Sequence, residues 1–413
     1  MGPQTAGRQP TIVEVRPTHV KHGRPRRITQ EIHDPGRSRV LILVKGLGLG
    51  GVERLLSRSV PALDRGRFEY EICYFTPWKD DVVSSFSSQG VRVHCLDVSN
   101  ELSLVAFWRL ARLIGKGSYD LIHTHSPYPS VLARFISLFH RQLRIVHTEH
   151  SLPDSRNFLT RLANHLTYPI CDLVIAISAD VERAIVAKKW LRPPATQVIR
   201  GGVASAGLVR ANAQSRASVR TALGIPDDHK VIGNVAHLRK QKGHTLLLEV
   251  AGLVVKQKPK TTFVLVGREK EPGFEAELRS MARRLGIEGS VVFAGFVPDP
   301  YPILSTLDLF LLTSQYEGFP IALIEAMALG VASVATDVGG VSEALRDGTD
   351  GLLAPFGDVE TLTAQVLRLL SNDAERARLA ASAQRRVHDE FSIEEMIHQV
   401  EATYTALLMT ESP

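Results

Sequence analysis

From Arg39 onward the chain alternates short apolar runs rich in β-branched residues with longer segments whose apolar positions return at helical spacing. This is the pattern of βαβ units and parallel sheets. Strands are predicted at 40–45, 70–75, 91–96, 121–123, 144–148 and 173–177, with a turn or helix signal after each. The pattern then starts again, with strands at 231–235, 262–266, 291–294, 309–313 and 332–335. An α/β protein with two doubly wound sheets is expected. Between the sheets, Gly201-Gly202, a run of small residues and Pro226 interrupt the periodicity, so residues 201–228 read as a linker. This gives domains at 39–200 and 229–386 and a C-terminal helix in 387–413. Open α/β sheets bind ligands beyond the carboxyl ends of their strands, which places the expected active site in the cleft between the two domains.

A length of 413 residues suits two domains. With 44% hydrophobic and 22% charged residues, the bulk of the chain is not disordered, and no stretch approaches the ~20 apolar residues of a membrane span. Cys73, Cys95 and Cys171 are odd in number and form no CxxC pair. They support neither a disulfide framework nor a zinc ribbon, and they fit a cytoplasmic location. The net charge of +6 is polarised, with +5 over residues 1–39, +6 over 40–200 and −5 over 201–413. Residues 1–38 are rich in Arg, Pro and Gly and lack an apolar run, so they read as a basic disordered leader and not as a secretory signal. In segment 130–144, Val131, Leu132, Phe135, Ile136, Leu138 and Phe139 stand beside Arg134, His140, Arg141 and Arg144. Two readings fit: a half-buried domain helix, and a basic amphipathic helix peripheral to an anionic membrane surface.

Several segments carry chemistry. The first strand runs into Gly46-Leu-Gly48-Leu-Gly50-Gly51-Val-Glu53-Arg54, whose glycines let the backbone approach an anion or a sugar at a helix N-terminus. The same residues satisfy GxGxxG, but the second strand ends in Phe75-Thr76-Pro77 without the acid a dinucleotide site needs. A tight turn without a ligand is the remaining alternative. Two histidine clusters, His123-Thr-His125 and His147-Thr-Glu149-His150, fall at the ends of successive strands. They fit cleft chemistry, hydrogen-bonded structural histidines or zinc ligation, although no HExxH or cysteine partner accompanies them. In the second half, Ala236-His237-Leu238-Arg239-Lys240-Gln241-Lys242-Gly243 is a cationic loop suited to phosphate, or else a solvated one. Glu317-Gly318-Phe319-Pro320-Ile321 then precedes a helix carrying Glu325 and ending near Gly330. Glu317 and Glu325 therefore flank free helix N–H groups, an arrangement for sugar hydroxyls and phosphate oxygens, or are two helix-surface acids.

Taken together, these segments resemble the retaining glycosyltransferases of family 4, of the glycosyl transferase group 1 type, which have the GT-B fold of two Rossmann-like domains facing across a cleft. The resemblance spans about 39–386. It rests on Gly50–Arg54, His123–His125, His150, Cys171-Asp-Leu-Val-Ile-Ala-Ile-Ser178, Lys242-Gly243, the Glu317-x7-Glu325 spacing and Asp337-Val-Gly-Gly340 with Glu343. It implies a hexosyltransferase-like, metal-independent enzyme that moves a sugar from a nucleotide-diphosphate sugar to a hydroxyl acceptor. The expected setting is cell-envelope or exopolysaccharide glycan or glycolipid assembly, at the cytoplasmic membrane face. No cofactor and no nucleic-acid partner are implied; the partners are the nucleotide sugar and a glycan or lipid-linked acceptor. His150 and Glu317 are the expected catalytic residues. Gly50, Gly51, His237, Arg239, Lys242, Gly318, Phe319, Ile321 and Glu325 are expected to bind the donor, and His125 and Arg54 the acceptor. Two departures stand out: His237 replaces the usual Arg five residues before Lys242, and Arg200-Gly201-Gly202-Val203-Ala204 lacks the usual Asn and Asp of the domain junction. A non-catalytic GT-B module that binds a nucleotide sugar or a partner protein is the alternative.

Overall fold

The computed structural model describes residues 36–99, 103–151, 158–188, 193–205 and 208–410, and those from Arg37 onward form one compact unit. The expected leader falls almost wholly outside the described residues. Seven strands make the first sheet: β1 (Ser38–Val44), β2 (Phe68–Tyr74), β3 (Arg92–Cys95), β4 (Leu121–Thr124), β5 (Arg144–Glu149), β6 (Leu173–Ala176) and β7 (Thr196–Val198). Six make the second: β8 (Lys230–Val235), β9 (Thr261–Val266), β10 (Val291–Gly295), β11 (Leu309–Leu312), β12 (Ala332–Thr336) and β13 (Leu352–Ala354). Both are wholly parallel, in the orders β3-β2-β1-β4-β5-β6-β7 and β10-β9-β8-β11-β12-β13. The order reverses at β1/β4 and again at β8/β11, the crevice positions of a doubly wound sheet.

Every strand in the sequence reading is present, shifted by a residue or two. Two were not anticipated, β7 and β13. Each has only three residues at a sheet edge, too few to show a period. The stretch read as a linker contains the Ala213–Ala222 helix, capped by the Asn212 side chain. The strands are sheathed on both faces by apolar cores, Val40, Ile42 and Val44 facing one side of the first sheet and Leu41 and Leu43 the other.

The last helix, Ile393–Met409, returns to the first sheet. Tyr404 is buried in that sheet's core, and the Glu401 carboxylate accepts from Asp64 N at 2.9 Å and Tyr70 Oη at 2.6 Å. The two chain crossings between the sheets run side by side. Val203 N donates to Phe391 O at 2.9 Å and Ile393 N to Val203 O at 3.1 Å. A Cβ on Gly202 would lie 2.6 Å from Ser392 O, so only glycine permits this pairing.

The 130–144 segment is not one helix. The Pro127–Ser137 helix ends inside it, and Arg144 opens β5, paired with Asp172 at 3.0 Å. Arg134 is fully buried, holding Asn164 Oδ1 at 3.0 Å and Thr167 Oγ1 at 3.2 Å under the Tyr168 ring, so it belongs to the core and not to a cationic face. Phe135, Leu138 and Phe139 are exposed, as are Leu104, Val105 and Trp108 on the Leu104–Gly117 helix packed beside it. No described helix is long and apolar enough to cross a membrane.

Candidate active site

A cleft of about 330 Å³ lies between the two sheets, lined from the first by Gly51, Arg54, Arg58 and His150 and from the second by His237, Arg239, Lys242, Glu317 and Glu325. Gly50 caps the Gly51–Ser59 helix without lining the cleft. The Glu53 carboxylate folds back to within 2.2 Å of where a Gly50 Cβ would stand. Burial raises the Glu53 pKa. The helix N-terminus therefore faces the chain's own acid.

The histidines divide by strand periodicity. In the β4/β5 register Thr124 stands beside His147, so His147 shares a face with Thr124, opposite to His123 and Thr148. There it is fully buried beside Thr124 Oγ1 (2.9 Å) and Ser130 Oγ (3.0 Å). The other three stack toward the cleft. The His123 and His125 ring centroids lie 4.1 Å apart, and His125 Nδ1 is 3.0 Å from His150 Nε2. His125 Nε2 is buried without a hydrogen-bond partner. Among the described residues, no group of three or more His, Cys, Asp or Glu is placed to hold a metal ion.

Opposite, β8 leads into the cationic loop. Gly243 follows it at φ +65°, where a Cβ would collide with Thr313 O, so the loop must close through glycine before the His244–Gln257 helix. Lys242 Nζ lies 2.7 Å from both carboxylate oxygens of Glu317, which also accepts from Ser314 Oγ at 2.6 Å. Arg239 Nε is buried and unpartnered. His237 is pulled down to a pKa of about 4, first by burial and then by Lys270, Arg239, Lys242 and Arg268, so it is neutral near pH 7. A Cβ on Gly318 would come within 2.7 Å of His150 O; glycine there lets the Glu317 loop touch the histidine strand. Phe319 and Ile321 press on Gly201 at the junction, which explains why a small residue stands at that departure.

Glu325 sits on the Ile321–Ala328 helix, one turn beyond the loop, as expected. Its Oε1 accepts from Arg58 Nη1 at 2.7 Å and from Tyr301 Oη at 3.1 Å, while Arg58 stacks 4.4 Å from the Tyr301 ring. Burial raises the Glu325 pKa and Arg58 opposes it. Arg54, one turn earlier on the same helix, reaches Val297 O at 3.4 Å. Arg58, Tyr301 and Ser314 escaped the sequence reading. For Arg58 the signal was available: a cation four residues after Arg54 shares its helix face.

Two facing Rossmann-like folds, with a charged cleft where their strand orders reverse, define a GT-B protein. The comparisons with known proteins agree. The model "Glycosyltransferase Family 4" matches residues 49–206, and "Glycosyl transferases group 1" matches 215–386. The putative glycosyltransferase EpsD of Bacillus subtilis is 26% identical over 74% of this chain and 81% of its own. The Escherichia coli UDP-Gal:alpha-D-GlcNAc-diphosphoundecaprenol alpha-1,3-galactosyltransferase is 21% identical over 88% and 95%. Anabaena HepE, solved with UDP and glucose, superposes with a TM-score of 0.80 at 24% identity, over 90% of this chain and all of that one. The chain belongs to the group 1 / family 4 glycosyltransferases.

Proposed function

We propose that this glycosyltransferase moves a sugar, with retention of anomeric configuration and without a metal, from a nucleotide-diphosphate sugar to a hydroxyl acceptor of cell-envelope or exopolysaccharide assembly. The observation that carries this is the cationic wall of the cleft, lined by Lys242 and by Arg239, whose Nε is buried and unpartnered. A diphosphate supplies the missing acceptor atoms, and fixed cations act most strongly where charge develops as it leaves. A UDP-bound neighbour of the same fold is consistent with this.

In this reading Lys242 and Arg239 hold the diphosphate, with His237 beside them. Glu317 takes donor-sugar hydroxyls and Glu325 the ribose, with Gly318, Phe319 and Ile321 shaping the pocket and Gly51 at its far wall. Gly50 does not line the cleft and acts only by letting Glu53 close over the helix. His150 meets the sugar near the reaction centre. His125, through its unpartnered Nε2, and Arg54 face the acceptor. The acceptor oxygen bonds the anomeric carbon on the face the phosphate leaves, the carbon–phosphate-oxygen bond breaks, and the acceptor proton passes to that departing oxygen. No enzyme nucleophile takes part.

The acceptor-side domain is proposed to rest on the anionic cytoplasmic face of a membrane through Trp108 and Phe139, 69% and 79% exposed, with Arg109, Arg112 and Arg141 exposed nearby in sequence. A panel of UDP-, GDP- and ADP-sugars, read by nucleotide release and thermal stabilisation, tests the donor assignment. If no sugar nucleotide gave either signal, the assignment would fail.

A further inference from the structure

We infer that Tyr404, near the end of the last helix, is a positioning residue for the reaction: it holds His123, and through the ring stack His125 and His150, in the geometry that meets the donor sugar. This rests on the function proposed above. His123 Nδ1 is hydrogen-bonded to the Tyr404 hydroxyl and His123 Nε2 to Thr148 Oγ1 at 2.7 Å, so both ring nitrogens are fixed from opposite sides. Both partners are hydroxyls, which can donate or accept, so a neutral His123 ring keeps both bonds by donating from one nitrogen and accepting at the other. Burial, reinforced by His147 and His150, brings the His123 pKa down to about 3, in keeping with that neutral form. The Tyr404 ring also meets His123 edge-on, with centroids 5.6 Å apart.

From His123 the contact passes on by packing. His125 lies 4.1 Å above it, and His125 Nδ1 holds His150 Nε2 at 3.0 Å. Of these three rings, only that of His150 lines the cleft that receives the donor. A His123 ring freed on its Nδ1 side can turn about its side-chain torsions and remove the face on which His125 rests. Small displacements of a group at the reacting centre are costly because catalysis depends on near-attack geometry. Tyr404 is itself held. Its helix starts at the paired crossings, with Gly202 N directed at Met396 Sδ 3.2 Å away, and is fixed again by Glu401.

The experiment uses the full chain and the donor identified by the nucleotide-sugar panel. Tyr404→Phe keeps the ring and removes the hydroxyl. Its kcat is expected to fall about five- to twentyfold, the worth of one lost hydrogen bond, with donor KM and stabilisation by that donor's nucleoside diphosphate unchanged. Thr148→Val, which frees His123 on its other side, should give the same kcat-only defect and serves if Tyr404→Phe does not fold. In a His123→Gln background, adding Tyr404→Phe should cost nothing further, because the path is already cut. Wild-type kcat in Tyr404→Phe, or full additivity with His123→Gln, overturns the inference. Stabilisation of the wild type by the same nucleoside diphosphate keeps the donor assignment separate from that outcome.

Discussion

Replacing Lys242 with alanine removes two interactions at once, and their magnitudes can be separated. In the free protein Lys242 bridges both oxygens of Glu317 at 2.7 Å, with the lysine side chain 16% and the glutamate side chain 9% exposed. Its loss leaves Glu317 with the Ser314 hydroxyl as its remaining side-chain donor, a cost of about 1–3 kcal/mol for a carboxylate stripped of its main partner. The melting temperature should therefore drop by a few degrees. Catalysis should suffer more. A charge-assisted contact that tightens as the diphosphate departs is worth roughly 10²–10³ in kcat/KM, or about 3–4 kcal/mol at the transition state. Initial rates of nucleotide release, taken well below the melting transition, measure the second quantity, and thermal melts measure the first. The pair Lys242→Met with Glu317→Gln, uncharged on both sides, should recover most of the stability and none of the activity. Near-normal turnover in Lys242→Ala would refute the placement of the diphosphate, whatever the melt showed.

Activity should survive EDTA, because side-chain cations and helix amides carry the leaving group's charge; loss of turnover restored by Mg²⁺ or Mn²⁺ would contradict this. The protein should sediment with anionic but not neutral liposomes at low salt, and Phe139→Ser with Arg141→Glu should release it; equal failure on both vesicles points to a soluble acceptor. Arg144 is unsuitable for that test because it pairs with Asp172. Stability should fall on acidification from about pH 6.5 toward 4. His123 and His244 have folded pKa values of about 3 and 4 because of burial, so the unfolded chain, with histidines near 6.5, binds more protons throughout that window. Above pH 6.5 their contribution is complete, and melts at pH 7 and 8 should agree, whereas an equal melting temperature at pH 5 and 7 would count against the buried neutral rings.

The sheets were legible because parallel strands covered on both faces announce themselves as apolar runs. Glu317 and Glu325 were legible because a helix start fixes their spacing. What escaped depended on distance along the chain. Arg58 meets Glu325, and Tyr404 meets His123, across separations of 267 and 281 residues that no local pattern encodes. His147 was grouped with its neighbours by sequence, yet a strand period of two turns it to the opposite face. The 130–144 segment shows the same limit: its composition fits a membrane-lying helix, but Arg134 is consumed by Asn164 and Thr167 in the interior.

The return of the Ile393–Met409 helix to the first sheet makes the domain of that sheet discontinuous in sequence, while the domain of the second sheet is continuous. Ribosomal synthesis then imposes an order. At about 5–20 residues per second, the first sheet waits roughly 10–40 s after Arg200 emerges before the helix that fills its core is made. Through that interval the surface around Val60, Leu63 and Tyr70 lacks the helix that covers it in the finished protein, and Asp64 N and Tyr70 Oη lack their carboxylate. The domain of the second sheet can close first. The domain of the first sheet is completed only from behind it, when the Ile393–Met409 helix docks.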